Sequence, residues 1–259
     1  GELIKAPNRF VGGYVDTANI NHPGNYPFPT DMTFRKYADH KADKTIEFFD
    51  PDAVQKGDTI YLSDWYIPWF ITEVHPKIKH PYILISCDTD GRHPESGRWD
   101  YSEKNNWPPS VETMRTLLYD PKIAAWFCKN MVISRHPKIV QIPIGQNIIY
   151  FGLLPEHDYL LELAKQSSLH KKYLLYMNMQ LTTNPVRLLI AKLFQDRPFC
   201  VSRTGGLPRP QFLEELSQSK FTIASPGYGP DIVRFWEAIV VNCIPIVKHC
   251  DLDDLYSDL

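Results

Sequence analysis

The pattern of apolar and polar positions changes character twice along the chain. Through the first fifty residues polar, proline, glycine and asparagine positions dominate without a period of two or 3.6, so this stretch reads as mostly irregular. Short apolar runs then follow. Residues 58–63 (Asp-Thr-Ile-Tyr-Leu-Ser) read as a strand and 82–87 (Tyr-Ile-Leu-Ile-Ser-Cys) as a buried one. Ser110 stands as an N-cap before a helix over 111–119, with Glu112 in its first turn. Residues 124–128, 131–134 and 139–142 read as short strands, and Pro155 opens a helix that runs to Gln166.

Residues 166–171 are polar and unpatterned, and they divide the chain into an N-terminal domain of 1–166 and a C-terminal domain of 167–259. Beyond them the pattern is regular. A strand over 173–178 leads to a loop with Thr182 and Thr183, and Asn184-Pro185 gives an N-cap followed by proline at the first helical position. A strand at 199–202, a loop over 203–209, a helix over 210–218 and a strand at 221–224 come next. The turn Ser225-Pro226-Gly227, a helix carrying Arg234 and Glu237, and a strand at 244–247 complete four β/α repeats. Such alternation predicts an α/β fold whose C-terminal domain is a parallel, doubly wound sheet. Ligands of such sheets bind outside the carboxyl ends of the strands. Helix N-termini offer N–H groups to phosphate, and a Glu one turn inside can accept hydrogen bonds from sugar hydroxyls. That combination suits a nucleotide-sugar.

Composition narrows the picture only a little. The 259 residues are 43% apolar and 22% charged with a formal charge of −2, which gives no electrostatic case for nucleic acid or an anionic membrane surface. The five cysteines are scattered without a Cys-x-x-Cys pair, four of them in or beside apolar runs, as expected of free thiols in a reducing compartment. No apolar run reaches the roughly 20 residues of a membrane span, and no signal-peptide pattern opens the chain. Tryptophan, tyrosine and proline gather in stretches read as loops: 26–29, 63–70, 99–101 and 107–109. Sugar C–H faces pack on such rings, and Trp65, Tyr66 and Trp69 are the acceptor-binding candidates. The competing reading is that these rings cap a core.

The run 220–259 resembles the donor-binding end of the exostosin-like glycosyltransferases. The residues that carry the resemblance are Ser225, Pro226, Gly227, Arg234, Glu237, Ala238, Cys243, Ile244, Pro245 and Ile246. Upstream it continues more weakly through Trp126-Phe127, His136-Pro137-Lys138, Ile142 to Gly145 and the Thr-Asn-Pro-x-x-Arg stretch ending at Arg187. The resemblance implies a GT-B arrangement, two Rossmann-like domains facing a cleft, and inverting transfer from a UDP- or GDP-sugar to a carbohydrate or glycan acceptor. It also implies a chain that normally continues past Leu259, so the C-terminal domain is expected either to be truncated or to lack the family's last elements. The thiols point to the cytoplasm; a trimmed ectodomain of such an enzyme would belong in the Golgi lumen.

Transfer from a nucleotide-sugar needs groups for the departing diphosphate, hydrogen bonds to the ribose, and a carboxylate for the acceptor proton. For the diphosphate the candidates are Arg203, beside the Gly205-Gly206 pair, and Arg187, a cation in a helix's first turn where the macrodipole opposes it. A nearby carboxylate would explain Arg187 equally well. Ser225, Pro226 and Gly227 supply the backbone turn, Glu237 the ribose contact, and Arg234 either phosphate binding or structure; Arg234 and Glu237 could also pair at i, i+3. For the base, Asp90 fits the resemblance best and Asp88 is second, against the reading of both as turn carboxylates. His93 and His136 are further candidates. Asp88-Thr89-Asp90 also matches a D-x-D metal motif, so a metal-dependent transferase is an alternative, as is a non-catalytic carbohydrate-binding protein. No obligatory metal is expected, although Mg2+ or Mn2+ could bind two such carboxylates loosely.

Overall fold

The computed structural model describes residues 2–7, 34–35, 37–43, 45–87, 111–130, 136–145, 154–167, 171–250 and 252–257, with backbone alone at 65, 111–114 and 154–158. The fold is mixed α/β with two parallel sheets. Contacts divide it into one unit drawn mainly from the chain before Ile144 and a second from Ile144–Cys250.

In the first unit, β1 (Ile4–Lys5) pairs antiparallel with β3 (Phe48–Phe49). A five-stranded parallel sheet has the order β2-β4-β5-β6-β7, from β2 (His40–Ala42), β4 (Thr59–Ser63), β5 (Tyr82–Cys87), β6 (Ile123–Cys128) and β7 (Ile139–Gln141). Successive side chains of a strand point to opposite faces. Ile60, Leu62, Tyr82 and Leu84 accordingly enter one core cluster, and Tyr61, Ile85 and Cys87 another. Helix α1 (Val111–Tyr119) precedes β6.

One expectation changes here and one gains detail. Among the described residues of the first fifty, β1, β2 and β3 are short strands. The aromatic stretch at 63–70 is helical rather than a loop: 64–77 winds through successive 3-10, α and π turns. Tyr66, Ile67, Phe70 and Val74 recur at helical spacing and are all buried, while Pro68 is tolerated because it sits in the first turn. The expected strand at 131–134 and the N-cap Ser110 lie outside the described residues.

The second unit holds a four-stranded parallel sheet of order β11-β10-β8-β9, built from β8 (Tyr173–Asn178), β9 (Cys200–Arg203), β10 (Ser219–Ile223) and β11 (Ile244–Ile246). Helix α2 (Leu154–Gln166) precedes it, and α3 (Pro185–Phe194), α4 (Arg209–Ser217) and α5 (Val233–Val240) connect its strands. Leu160, Tyr176, Phe212, Leu213, Leu216, Ala238 and Val241 pack α2, α4 and α5 on one face. Leu175, Met177, Ala191 and Ile223 pack α3 on the other. Tyr159, Leu160 and Leu163 of α2 belong to that first cluster, so α2 sits in the second unit although the polar segment expected as a boundary follows it.

A lysine ties the lower ends of these helices together. Lys171 Nζ donates to the carbonyls of Ser217 (2.8 Å), the last residue of α4, and Val241 (2.9 Å), just past α5, and to Ser167 Oγ (2.5 Å), just past α2. Cations suit helix C-termini, where unsatisfied carbonyls and the macrodipole both attract them. Cys128, Cys200 and Cys243 are free thiols.

Candidate functional site

Strands β8 and β10 are neighbours, yet β8 connects through α3 to β9 on one side and β10 connects through α5 to β11 on the other. Parallel strands whose connections leave in opposite directions open a crevice at their carboxyl ends, where ligands of such sheets bind. The chain past β8 and the turn past β10 border that crevice, and two side chains tie them together. Asn184 caps α3 by accepting from the Val186 N–H (3.1 Å), and its Nδ2 donates to the Gly227 carbonyl (3.0 Å). Arg187 donates from Nε to the Pro226 carbonyl (2.8 Å), from Nη2 to that of Ser225 (3.1 Å) and from Nη1 to that of Gln180 (3.1 Å).

Arg187 is 6% exposed, and these bonds run to backbone carbonyls rather than to the carboxylate expected as its alternative partner. Burial, then the charge of Arg234, brings its guanidinium down to about 10. Its contacts are those of a clamp on the Ser225-Pro226-Gly227 turn. Ser225 is buried and its Oγ lies 3.4 Å from the Pro226 carbonyl.

Glu237 and Arg234 do not form the i, i+3 pair that their spacing allows. Glu237, 2% exposed on α5, is bound instead by Nη2 of Arg209, the first residue of α4. The Arg234 guanidinium lies 5.4 Å from the centroid of the Phe212 ring and that of Arg209 5.1 Å from it. The buried Nε of Arg234 has no hydrogen-bond partner among the described residues. Burial lowers the Arg234 pKa and Arg209 adds to this, whereas Glu237 and Tyr176 oppose it.

Arg203 ends β9 and forks onto Glu215, Nη2 to Oε1 at 2.9 Å and Nε to Oε2 at 3.3 Å, with 41% of its side chain still exposed. Gly205 and Gly206 follow at φ +90° and +78°, the left-handed region that glycine adopts without strain.

A pattern emerges across the helices. Arg187, Arg209 and Arg234 each lie in the first turn of α3, α4 and α5, and none of those turns carries an acidic residue. The macrodipole disfavours cations there. These ends hold four guanidiniums, with Arg203, against the carboxylates of Glu215, Glu237 and Asp231; the last accepts from Trp236 Nε1 (2.9 Å) and the Ile144 N–H (2.7 Å). The surplus is positive, and three helix N-termini add to it. Such an edge suits an anion.

Arg209 was missed in the sequence. A cation in a helix's first turn, the feature that marks Arg187, marks Arg209 beside Pro210 as well.

The other candidates fare unevenly. Asp88, Asp90 and His93 lie outside the described residues, as does the Trp65 side chain. Tyr66 is 6% exposed in the core of the first unit with its ring edge-on to Trp69 at 5.9 Å, so packing takes up the face a sugar would need; Trp69 is half-buried. His136 accepts from the Lys138 N–H (3.2 Å) and packs edge-on against Tyr119 (5.3 Å), contacts that order a turn. Among the described residues no three His, Cys, Asp or Glu side chains converge on a metal-sized site, and no helix is long and apolar enough to cross a membrane. No protein-family model matches the chain, and no curated protein matches it significantly.

Proposed function

We propose that the protein is a glycosyltransferase that uses a nucleotide-sugar and holds its diphosphate at the carboxyl edge of the second sheet. The observation that carries this reading is the set of three first-turn arginines around the β8/β10 crevice, with the Glu237 carboxylate among them. The chemistry fits. A departing nucleoside diphosphate develops negative charge, and preorganised cations and helix N-termini stabilise it. A carboxylate beside that anion site can also accept hydrogen bonds from a ligand, and ribose hydroxyls are such donors.

In this reading Arg203 and Arg234 face phosphate, Arg187 and Asn184 set the turn that approaches it, and Glu237 takes the ribose. Asp90 or Asp88, in the segment leaving the carboxyl end of β5, removes the acceptor proton in an inverting displacement. Trp65 and Trp69 contribute apolar faces for the acceptor. The exostosin-like resemblance adds a GT-B arrangement and a UDP- or GDP-sugar donor without an obligatory metal.

The test is a thermal-shift series with UDP, GDP, CMP and their sugars, with and without Mn2+. A nucleotide at a hundredfold excess over its Kd stabilises the fold by about 2.7 kcal/mol, a visible shift. One nucleotide should shift the melting temperature without metal, and Glu237→Gln should abolish the shift. Absence of a shift with every nucleotide overturns the reading.

A further inference from the structure

Asn178 ends β8 at the crevice, 5% exposed, and its amide is oriented by what lies behind it. Nδ2 donates to the hydroxyl of the buried Tyr176 at 3.1 Å. That hydroxyl also faces the Glu215 carboxylate, which Arg203 grips with two N–H groups. Burial raises the Glu215 pKa, but hydrogen bonds from Arg203 and Tyr176 bring it below its ordinary value, so the group is an anion that only accepts. The single phenolic proton therefore goes to Glu215, and the phenolic oxygen is left to accept from Asn178. With Nδ2 committed in this way, Oδ1 points away from Tyr176. Among the described residues Oδ1 accepts no hydrogen bond, and it is not sealed from solvent.

Arg203 is the register partner of Asn178 on β9, so the two side chains leave the same face of the sheet from strands about 4.8 Å apart. The chains past both strands stay together. The Met179 N–H reaches the Arg203 carbonyl (3.4 Å), and a methyl on Gly205 would stand 3.9 Å from the Gln180 Cα. An oriented acceptor and a cation with 41% of its side chain exposed thus stand side by side at the carboxyl edge. We propose that Asn178 is a specificity residue: its Oδ1 accepts a hydrogen bond from a hydroxyl or N–H group of a ligand whose phosphate meets Arg203. Tyr176 is the positioning residue that keeps the amide turned that way. The proposal deepens the nucleotide-sugar reading and rests on it only for the identity of the ligand. A site built to hydrogen-bond a ligand group discriminates against ligands that lack it, because its own polar atom is then left without a partner.

Calorimetric titrations of wild type, Asn178→Ala, Tyr176→Phe and the double variant test this. The probes are pyrophosphate, which carries no alcohol or amide donor, and ribose 5-phosphate, UDP, GDP, UDP-glucose and GDP-mannose, which do. Asn178→Ala should weaken at least one donor-bearing probe by about fivefold or more and leave pyrophosphate unchanged. Tyr176→Phe keeps the ring in the core but frees the amide to turn; it should weaken the same probe by about twofold or more and add nothing to Asn178→Ala. It carries the test alone should Asn178→Ala fail to fold. A loss already present with UDP or GDP puts the donor group on the nucleoside, and a loss confined to UDP-glucose or GDP-mannose puts it on the sugar. Nucleotide binding that Asn178→Ala leaves intact, or weakens no more than it weakens pyrophosphate, overturns the assignment while the transferase reading stands. A Tyr176→Phe loss that adds in full to that of Asn178→Ala overturns the positioning role. The expected pattern with ribose 5-phosphate, but no nucleotide binding, upholds Asn178 and overturns the transferase reading. Absence of binding by every probe overturns both.

Discussion

A methyl group on Gly227 would stand 3.0 Å from Nη2 of Arg187 and 3.7 Å from its Cζ. The guanidinium cannot give way freely, since three backbone carbonyls hold it in place. Gly227 is thus small because Arg187 lies against it, and Arg187 is ordered because the turn carbonyls point at it. Gly227→Ala should destabilise the protein by about 1–3 kcal/mol, the usual cost of overpacking a closed site. Arg187→Met should cost at least as much, because it strips a donor from the carbonyls of Gln180, Ser225 and Pro226, at about 1–3 kcal/mol for a group left buried and unsatisfied. Urea unfolding of both variants measures this. If Arg187 instead acts on ligand through its charge, Arg187→Lys will preserve nucleotide affinity better than it preserves stability; a clamp predicts loss of both.

Lys171 offers a test remote from the candidate site. Its ammonium meets the Ser217 and Val241 carbonyls and Ser167 Oγ, bringing together the C-terminal ends of three helices. Hydrogen bonds from a charged donor contribute about 1.5–3 kcal/mol. Lys171→Met keeps most of the stem and removes the donors, so it should lower the unfolding free energy by about 1–3 kcal/mol while leaving any nucleotide-induced shift intact. A loss of ligand response without a loss of stability would mean that this end of the sheet is wrongly assigned.

The second unit was largely legible because β8 and β11 are apolar runs, because β9 and β10 each hold apolar residues between turn residues, and because Asn184-Pro185 marks a helix start in two adjacent letters. The first unit was less so. Strands β1, β2 and β3 are two or three residues long, too short for a period-two pattern, and Ile4 finds its partner Phe49 far along the chain. Residues 64–77 hid their helical spacing behind Pro68 and Pro76. At the candidate site, residue types were readable and partnerships were not. Spacing offered Glu237 to Arg234, three positions away, but tertiary packing gives it to Arg209, 28 positions away.

Arg203 separates ligand binding from structure. Its fork onto Glu215 is largely solvent-exposed on the arginine side, and pairs of this kind contribute about 0–1 kcal/mol. Arg203→Gln should therefore change stability by less than about 1 kcal/mol. If Arg203 faces the diphosphate, the same substitution should weaken nucleotide binding by about tenfold, and the loss should shrink as salt rises. Equal nucleotide affinity in Arg203→Gln and wild type would remove Arg203 from the donor site.

His75 gives the first unit a pH dependence whose sign follows from its hydrogen bonds. Its Nε2 lies 3.0 Å from Asp120 Oδ2 and its Nδ1 lies 2.7 Å from the Tyr82 hydroxyl. The neutral ring with its proton on Nε2 satisfies both, donating to the carboxylate and accepting from the phenol, which burial holds well above the usual tyrosine range. Protonating Nδ1 would take that acceptor away. Burial foremost, and then the Lys122 charge, lower the His75 pKa below its ordinary 6.5, although Asp120 pulls the other way. The unfolded chain then takes up the proton first. Stability from this site is complete above pH 6.5, declines as the pH falls from 6.5 toward the folded value, and levels off below it. Asp120 acts in a separate window: burial raises its pKa, but hydrogen bonds from the Lys122 N–H and His75 hold it below 3.8, so its contribution fades only in stronger acid. Unfolding free energies between pH 8 and pH 5 should fall more steeply for wild type than for His75→Gln, which cannot titrate there. Parallel curves would show that His75 is protonated alike in the folded and unfolded chain.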